Sequence, residues 1–304
     1  MDVAHLALLR ELADRGSVTE VAQATGKTTS VVSQQLRFLQ REVGVPLVER
    51  SGRGVRLTDA GLALADTATR VAAAMAEAEA EWDRYRGRAA GTVRLAFFFS
   101  AGELLVPGLL GRMQAYPEIE LITEERDVGE AEFEPLTADF DIVVAHSADD
   151  GVKPMRKGIE VTRLLREPVD VAVPLDHRLA GREQVGADEV IDEPWVGVPQ
   201  DYPLDRVLSA VAMQAGRPAK IIFRSTHLPL IENLVAAGHG VALLPRHSSL
   251  GRATGRFALL PLTGLHAGRH LEILSRPDRA ARQAVRVVRD ALVAEAAAAS
   301  QRRG

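Results

Sequence analysis

The sequence predicts an α/β protein that carries a small all-helical unit and a hairpin in front of its main domain. Three observations lead there. Apolar residues in the first fifty or so positions recur at helical spacing and then give way to two short β-capable runs around a glycine-rich turn. A long uninterrupted helical pattern follows. From Thr92 onward, strand-type and helix-type runs alternate to the end, the pattern of a layered domain with a mostly parallel sheet. The chain has 304 residues, 46% of them hydrophobic, which suits two or three cores rather than one.

Residues 2–15 place Val3, Leu6, Leu9 and Leu12 on one helical face, and Gly16 stops the helix. Ser17 with Glu20 three positions later is a capping-box pattern for a short second helix that buries Val18, Val21 and Ala22. After the turn Thr25-Gly26-Lys27, Thr28 or Thr29 opens a third helix with Val31, Val32, Leu36 and Leu39 inward, closed by Gly44. Residues 45–50 and 55–57 flank a turn at 51–54 and read as a hairpin. Three small helices and a basic hairpin make a winged helix-turn-helix over residues 1–57.

Thr58 caps a linker helix assigned to 58–86. Its apolar positions Gly61, Leu64, Ala68, Val71, Met75, Ala78 and Trp82 step by three and four, the seam of a two-helix contact. A helix lying on its own domain would drift toward 3.6 spacing. Residues 87–91 form a hinge, and 92–304 a larger α/β domain. The small and basic residues from 296 on are expected to fray.

Charge and composition narrow the function. The net charge is −4, yet Lys27, Arg37, Arg41, Arg50, Arg53 and Arg56 face only Glu42 and Glu49 between positions 27 and 56, so six bases less two acids leave +4 there. Phosphate binding needs only such a local face. With no cysteine, disulfides, thiolate chemistry and cysteine-held metals are excluded. The N-terminus does not read as a signal peptide and no run is long enough for a membrane span, so a cytoplasmic protein without membrane attachment is expected. Gly26-Lys27-Thr28 ends like a phosphate loop but lacks the earlier glycine and the preceding strand. Gly238-His239-Gly240 lacks the third glycine of a dinucleotide fingerprint and reads as a helix end leading into a strand. His266 and His270 are separated by Gly268, and no nucleophile elbow occurs. No catalytic residue, metal site or cofactor is assigned.

The run Ser30-Val31-Val32-Ser33-Gln34-Gln35-Leu36-Arg37-Phe38-Leu39-Gln40, then Gly44-Val45-Pro46-Leu47-Val48-Glu49-Arg50 and Leu57-Thr58-Asp59-Ala60-Gly61, resembles the LysR-type transcriptional regulators. Gly91-Thr92-Val93-Arg94-Leu95 with Leu105-Val106-Pro107, the stretch from Val173 to Ala180, and that from Val235 to Pro245 extend the likeness over nearly the whole chain. Gln40, Val48, Thr29 and Phe98 depart from the family's frequent Glu, Phe, Gln and Ser or Thr. The resemblance implies a regulator that binds promoter DNA as a dimer or tetramer. It also implies a periplasmic-binding-protein-like effector domain with subdomain I at 92–162 and 268–294 and subdomain II at 163–267. The partners implied are double-stranded DNA, a small-molecule effector, a second copy of the chain and, for an activator, RNA polymerase.

On this reading Thr28, Thr29, Ser30, Ser33, Gln34 and Arg37 face the major groove, where Gln can pair with adenine and Arg with guanine. Arg50, Arg53 and Arg56 suit phosphates beside the wing. The effector candidates are Phe98 and Ser100 at a strand-to-helix junction, His146 after a buried strand, and Thr226 and His227 before another helix. Two readings compete: a DNA-binding protein whose cleft regulates nothing, and an enzyme built on the α/β domain.

Overall fold

A computed structural model describes residues 1–51, 54–148, 158–200 and 202–303. In the N-terminal unit, α1 (Val3–Arg15), α2 (Val18–Ala24) and α3 (Thr29–Val43) enclose a core of Leu6, Leu9, Leu12, Val21, Val32, Leu36 and Leu39. Asp2, Ser17 and Thr28 each cap their helix by accepting a backbone N–H, and Gly16 and Gly44 close α1 and α3 at φ 70° and 76°. Only glycine takes that conformation at no steric cost. Val31 is a correction. It is 40% exposed, because the buried stripe runs through 32, 36 and 39 and its immediate neighbour lies about 100° around the helix. Strands β1 (Val48–Ser51) and β2 (Gly54–Leu57) pair antiparallel as the wing. Gln40 holds the wing to α3: its Oε1 accepts from the N–H groups of Leu47 and Val48 at 2.8 and 3.0 Å.

Helix α4 (Asp59–Tyr85) starts at Thr58, whose hydroxyl accepts from Gly61 N at 3.0 Å and donates to the Pro46 carbonyl at 2.8 Å. A side chain at Gly61 would strike the Leu47 carbonyl. The expected seam is divided. Gly61 is buried against Leu47, and Ala68 in the core of the N-terminal unit, whereas Met75, Ala78 and Trp82 face outward, joined by Leu62 and Tyr85. Leu64 and Val71 are half-buried between the two faces.

The effector domain comprises β3 (Gly91–Phe97), α5 (Phe99–Met113), β4 (Ile119–Glu125), α6 (Phe133–Leu136), β5 (Ile142–Ala148), β6 (Glu160–Pro174), α7 (Ala187–Val190), β7 (Pro194–Gly197), α8 (Pro203–Ala215), β8 (Lys220–Arg224), α9 (Leu228–Ala236), β9 (Val241–Pro245), α10 (Arg246–Ala253), β10 (Phe257–Pro261), β11 (Gly268–Ser275), α11 (Pro277–Ala280) and α12 (Gln283–Arg303). The strands run β4-β3-β5-β11-β6-β9-β7-β8, with β10 also on β6. Pairs β3–β4, β3–β5, β7–β8 and β7–β9 are parallel, and those that involve β6 or β11 are antiparallel.

Strand β6 is shared. Residues 160–168 pair with β11, and from Val169 the strand pairs with β9 and from Asp170 with β10. The crossing between subdomains therefore falls within one continuous strand near Pro168, later than the boundary at 162/163 suggested by the sequence. Two apolar cores result, one around Leu95, Val144, Leu105 and Val288, the other around Val171, Trp195, Val211 and Leu244. The C-terminal alanines are a further correction. Ala296 and Ala299 are 0% and 1% exposed in α12, which packs along α5.

Candidate DNA-reading face and effector cleft

Thr29, Ser30, Gln34 and Arg37 are exposed along the outer side of α3, and Ser33 is half-buried beside them. The Thr28 hydroxyl already caps Val31 N at 3.3 Å, and Arg37 Nε donates back to the Ser33 carbonyl at 3.3 Å. Arg50 is exposed on the wing. Arg56 stands opposite Glu49 in the hairpin register and pairs with it at 2.6 Å, so one of the two described wing arginines is compensated by a carboxylate. Arg53 lies outside the described residues. Between α3 and the start of the wing is an open groove lined by Gln34, Arg37, Arg41 and Pro46. Arg41, which lies outside the DNA-contacting set expected from the sequence, belongs to that wall and sits 5.8 Å from the Phe38 ring.

The cleft between the subdomains collects Phe98, Ser100, His146 and Thr226 around one cavity of about 30 Å³. That is room for about two waters. His227 is not on its wall. It is exposed, caps α9 without a side-chain hydrogen bond and packs against Phe99 at 5.6 Å. His146 lies within β5 rather than after it, boxed by Phe98, Phe133 and Tyr202 at centroid distances of 4.9, 4.8 and 5.8 Å. Burial, with the Arg269 charge adding to it, pushes His146 down to about 3, so the ring is neutral at physiological pH. Its Nδ1 is buried and has no hydrogen-bond partner among the described residues.

Several residues of the cleft were not identified from sequence. Arg269 on β11 donates from Nε and Nη2 to Glu167 at 3.0 and 2.7 Å, and from Nη2 to the Ser100 hydroxyl at 2.8 Å. Its guanidinium also covers Phe98 at 5.2 Å. Glu167, 0% exposed, accepts in turn from Ser248 N and Oγ on α10. The Ser100 hydroxyl oxygen is therefore already engaged by Arg269. Asp127 lines the same cavity, its carboxyl raised by burial and then by Glu125. The partners Glu167 and Arg269 are 102 positions apart, so no local spacing could pair them. Both strands carry several other charges, among them Arg163, Arg166 and Asp170 on β6 and Glu272 on β11, so nothing in the local pattern singles this pair out.

The helix starts around the cleft differ from those of the N-terminal unit. Helices α1 to α4 are all capped by a side chain. By contrast α5, α8 and α9 begin at Phe98, Tyr202 and His227, none of which makes a side-chain cap. All three open on the cavity, whose wall includes Phe99, Pro203, Leu204 and Leu228 from their first turns. Uncapped first-turn N–H groups are donors in search of an acceptor.

These two sites, a basic helix-and-wing head and a two-lobed cleft, define a DNA-binding regulator with a sensory domain. A model of the LysR substrate binding domain matches residues 86–297, and one of the lysR-family bacterial regulatory helix-turn-helix matches residues 3–62. The chain belongs to the LysR family of transcriptional regulators. It is 28% identical over 247 residues to the hydrogen peroxide-inducible genes activator of Dickeya chrysanthemi, covering 81% of this chain and 79% of that one. It is 26% identical over 281 residues to the transcriptional dual regulator GltC of Bacillus subtilis, covering 92% of each. Among solved structures, a full-length OxyR variant of Pseudomonas aeruginosa superposes with TM-score 0.65 at 21% identity, over 96% of this chain and 97% of that one. A hydrogen-peroxide-bound OxyR mutant of Corynebacterium glutamicum gives 0.56 at 22%, over 98% and 96%. No described helix is long and apolar enough to cross a membrane.

Proposed function

We propose that this regulator reads promoter DNA with α3 and the wing, dimerises through α4, and senses a small organic effector held without covalent bonds in the cleft. The observation that carries the effector reading is His146: a neutral, buried ring whose Nδ1 lacks a partner among the described residues, on the wall of a cavity where three helices without side-chain caps begin. The likeness to peroxide-responsive activators does not extend to thiol chemistry, since these 304 residues hold no cysteine.

The charges on the cleft wall shape the ligand. Arg269 is neutralised by Glu167, His146 is uncharged, and Asp127 adds a carboxylate. Multiply charged anions are disfavoured there. A molecule with at least one hydrogen-bond acceptor for the helix ends and an apolar face for Phe98, Phe99 and Tyr202 fits best. The cavity is small, so such a molecule binds an arrangement in which the subdomains stand further apart. Its regulatory effect comes from that difference in affinity.

The dimer reading rests on Met75, Ala78, Trp82 and Tyr85, which continue a three-four spacing on the open side of α4. A tetramer through effector domains, and contact with RNA polymerase in activation, follow from family membership, as do the cytoplasm as the place of action and the lack of enzymatic turnover. On the DNA side, Thr29, Ser30, Ser33, Gln34 and Arg37 address bases, Thr28 holds the helix start, and Arg50, Arg53 and Arg56 address phosphates. Footprinting on the promoter regions flanking the gene, with and without a panel of neutral and monoanionic metabolites, tests the whole reading. A footprint that no metabolite alters would leave a DNA-binding protein with an idle cleft.

A further inference from the structure

Helix α1 carries a strip of charge on the face opposite its core. Arg10 Nη1 lies 2.9 Å from Asp278, Arg276 Nη1 lies 2.5 Å from Asp14 and 3.4 Å from Glu11, and Arg15 Nη2 meets Asp139 at 2.8 Å and the Ala138 carbonyl at 3.1 Å. Every partner outside α1 belongs to subdomain I. The DNA-reading head is thus gripped by its own effector domain through ion pairs of both polarities.

Two features mark this grip as releasable. Arg276 is 3% exposed, yet its Nη2, Arg10 Nε and Asp278 Oδ1 are buried without hydrogen bonds among the described residues. A partly satisfied ionic network gives less stability than an apolar contact of the same size. Beside it a polar cavity of about 480 Å³ separates α1 and α4 from α6, lined by Arg10, Asp14, Asp66 and Arg276. Polar interfaces of this kind are those about which domains move. Burial raises the Asp14 carboxyl, its largest influence, with Arg276 opposing.

The position of Arg276 supplies the connection to the cleft. It follows directly on β11, whose second residue is Arg269. One strand therefore has a cleft arginine at its start and a head-gripping arginine just beyond its end, roughly 23 Å away at about 3.3 Å per residue. The strand pairs with β5 over residues 269–274 and with β6 over 268–275, with one register shift against β6 between Leu271 and Glu272, and Ser275 Oγ donates to the Asp141 carbonyl at 2.6 Å. We propose that β11 relays the state of the cleft to α1, so that rearrangement around Arg269 loosens or tightens the ionic latch and resets the orientation of the DNA-reading head. The relay rests on the cleft as the sensory site; the latch itself does not.

The test is hydrogen exchange on the full-length chain, read on peptides covering α1, residues 138–140 and residues 275–281. Asp14→Asn and Asp139→Arg should each raise exchange at all three segments together, by about tenfold. Arg15→Asp added to Asp139→Arg should recover part of the loss. Ser100→Ala and Glu167→Gln, which disturb Arg269 in the cleft, should raise exchange at α1 as well. Ser100→Ala serves alone if the other variant fails to fold. Unmoved α1 peptides in Asp14→Asn and Asp139→Arg would overturn the latch. Movement there, but changes confined to the cleft in Ser100→Ala, would overturn the relay. Neither result depends on finding an effector, so failure of the sensory reading shows separately, as a cleft that binds no metabolite in calorimetry.

Discussion

Glu167 and Arg269 stand directly opposite each other on β6 and β11, and both are buried. This pair sits where the chain crosses between subdomains, and it is tied to α5 through Ser100 and to α10 through Ser248. Removing one partner strands the other charge in a dry site. Glu167→Ala should therefore destabilise the fold by about 3–5 kcal/mol. The exposed pair Arg217–Asp192, at 2.6 Å, is a control: its removal should cost about 0–1 kcal/mol. Urea melts of the two variants check this, and equal losses would show that the buried pair has no special role.

His146 predicts a pH dependence. Its folded value is depressed to about 3 from 6.5, so the unfolded chain binds the proton more readily. Its contribution to stability is complete above about pH 6.5 and declines as pH falls toward 3, by about 1.4 kcal/mol per pH unit within that window. His146→Phe should remove this slope, so its melting temperature should change less between pH 7 and pH 5 than that of the wild type. Parallel curves for the two proteins would show that the ring is not held neutral.

Much of this architecture was legible because local chemistry fixed it. Ser17, Thr28, Gly16 and Gly44 declare helix ends, and the 6-9-12 stripe of α1 and the 32-36-39 stripe of α3 declare the core. What stayed hidden depends on distant partners. Gln40 stands out in the sequence only as a departure from the family's frequent Glu, and its role is to accept two wing N–H groups seven and eight residues on. The Ala-rich tail looked loose because no propensity reveals that α5 offers it a groove. Ser100 was read as an effector ligand because its neighbours fit a helix start, while its hydroxyl is occupied by an arginine from 169 residues away.

Gln40 gives its own prediction. Gln40→Ala leaves Leu47 N and Val48 N to find other acceptors, at a cost of about 1–3 kcal/mol per group left unsatisfied. The wing should loosen while α3 stays folded. Hydrogen exchange should then rise at residues 47–50 more than at 29–43, and a uniform rise would mean that Gln40 supports the whole head instead.

On the linker, Met75→Asp with Trp82→Asp places two charges on the open face of α4, 47% and 58% exposed in the single chain. If that face meets a second copy, the charges become buried and unpaired, and the dimer should dissociate. The isolated chain should keep its fold, because neither side chain supports its own core. Sedimentation should give a monomer with a wild-type melting profile at low concentration. A variant that remains a dimer would move the interface elsewhere.

The wing provides the last prediction. Arg56 is held by Glu49 at 2.6 Å across the hairpin, on the surface, where the pair adds little stability but cancels one positive charge close to where phosphates would lie. Glu49→Gln frees that charge. Binding to random duplex should tighten, and the slope of log affinity against log salt should steepen by about one, the change for one further phosphate contact. Arg50→Ala should shift the slope by a similar amount in the opposite sense and weaken all sequences alike. Gln34→Ala should instead leave the slope unchanged and alter preference between sequences, costing about 1–3 kcal/mol on the preferred one. Salt titrations of the three variants on one specific and one random duplex separate these outcomes. A changed slope in Gln34→Ala with unchanged preference would place α3 on the backbone rather than on the bases.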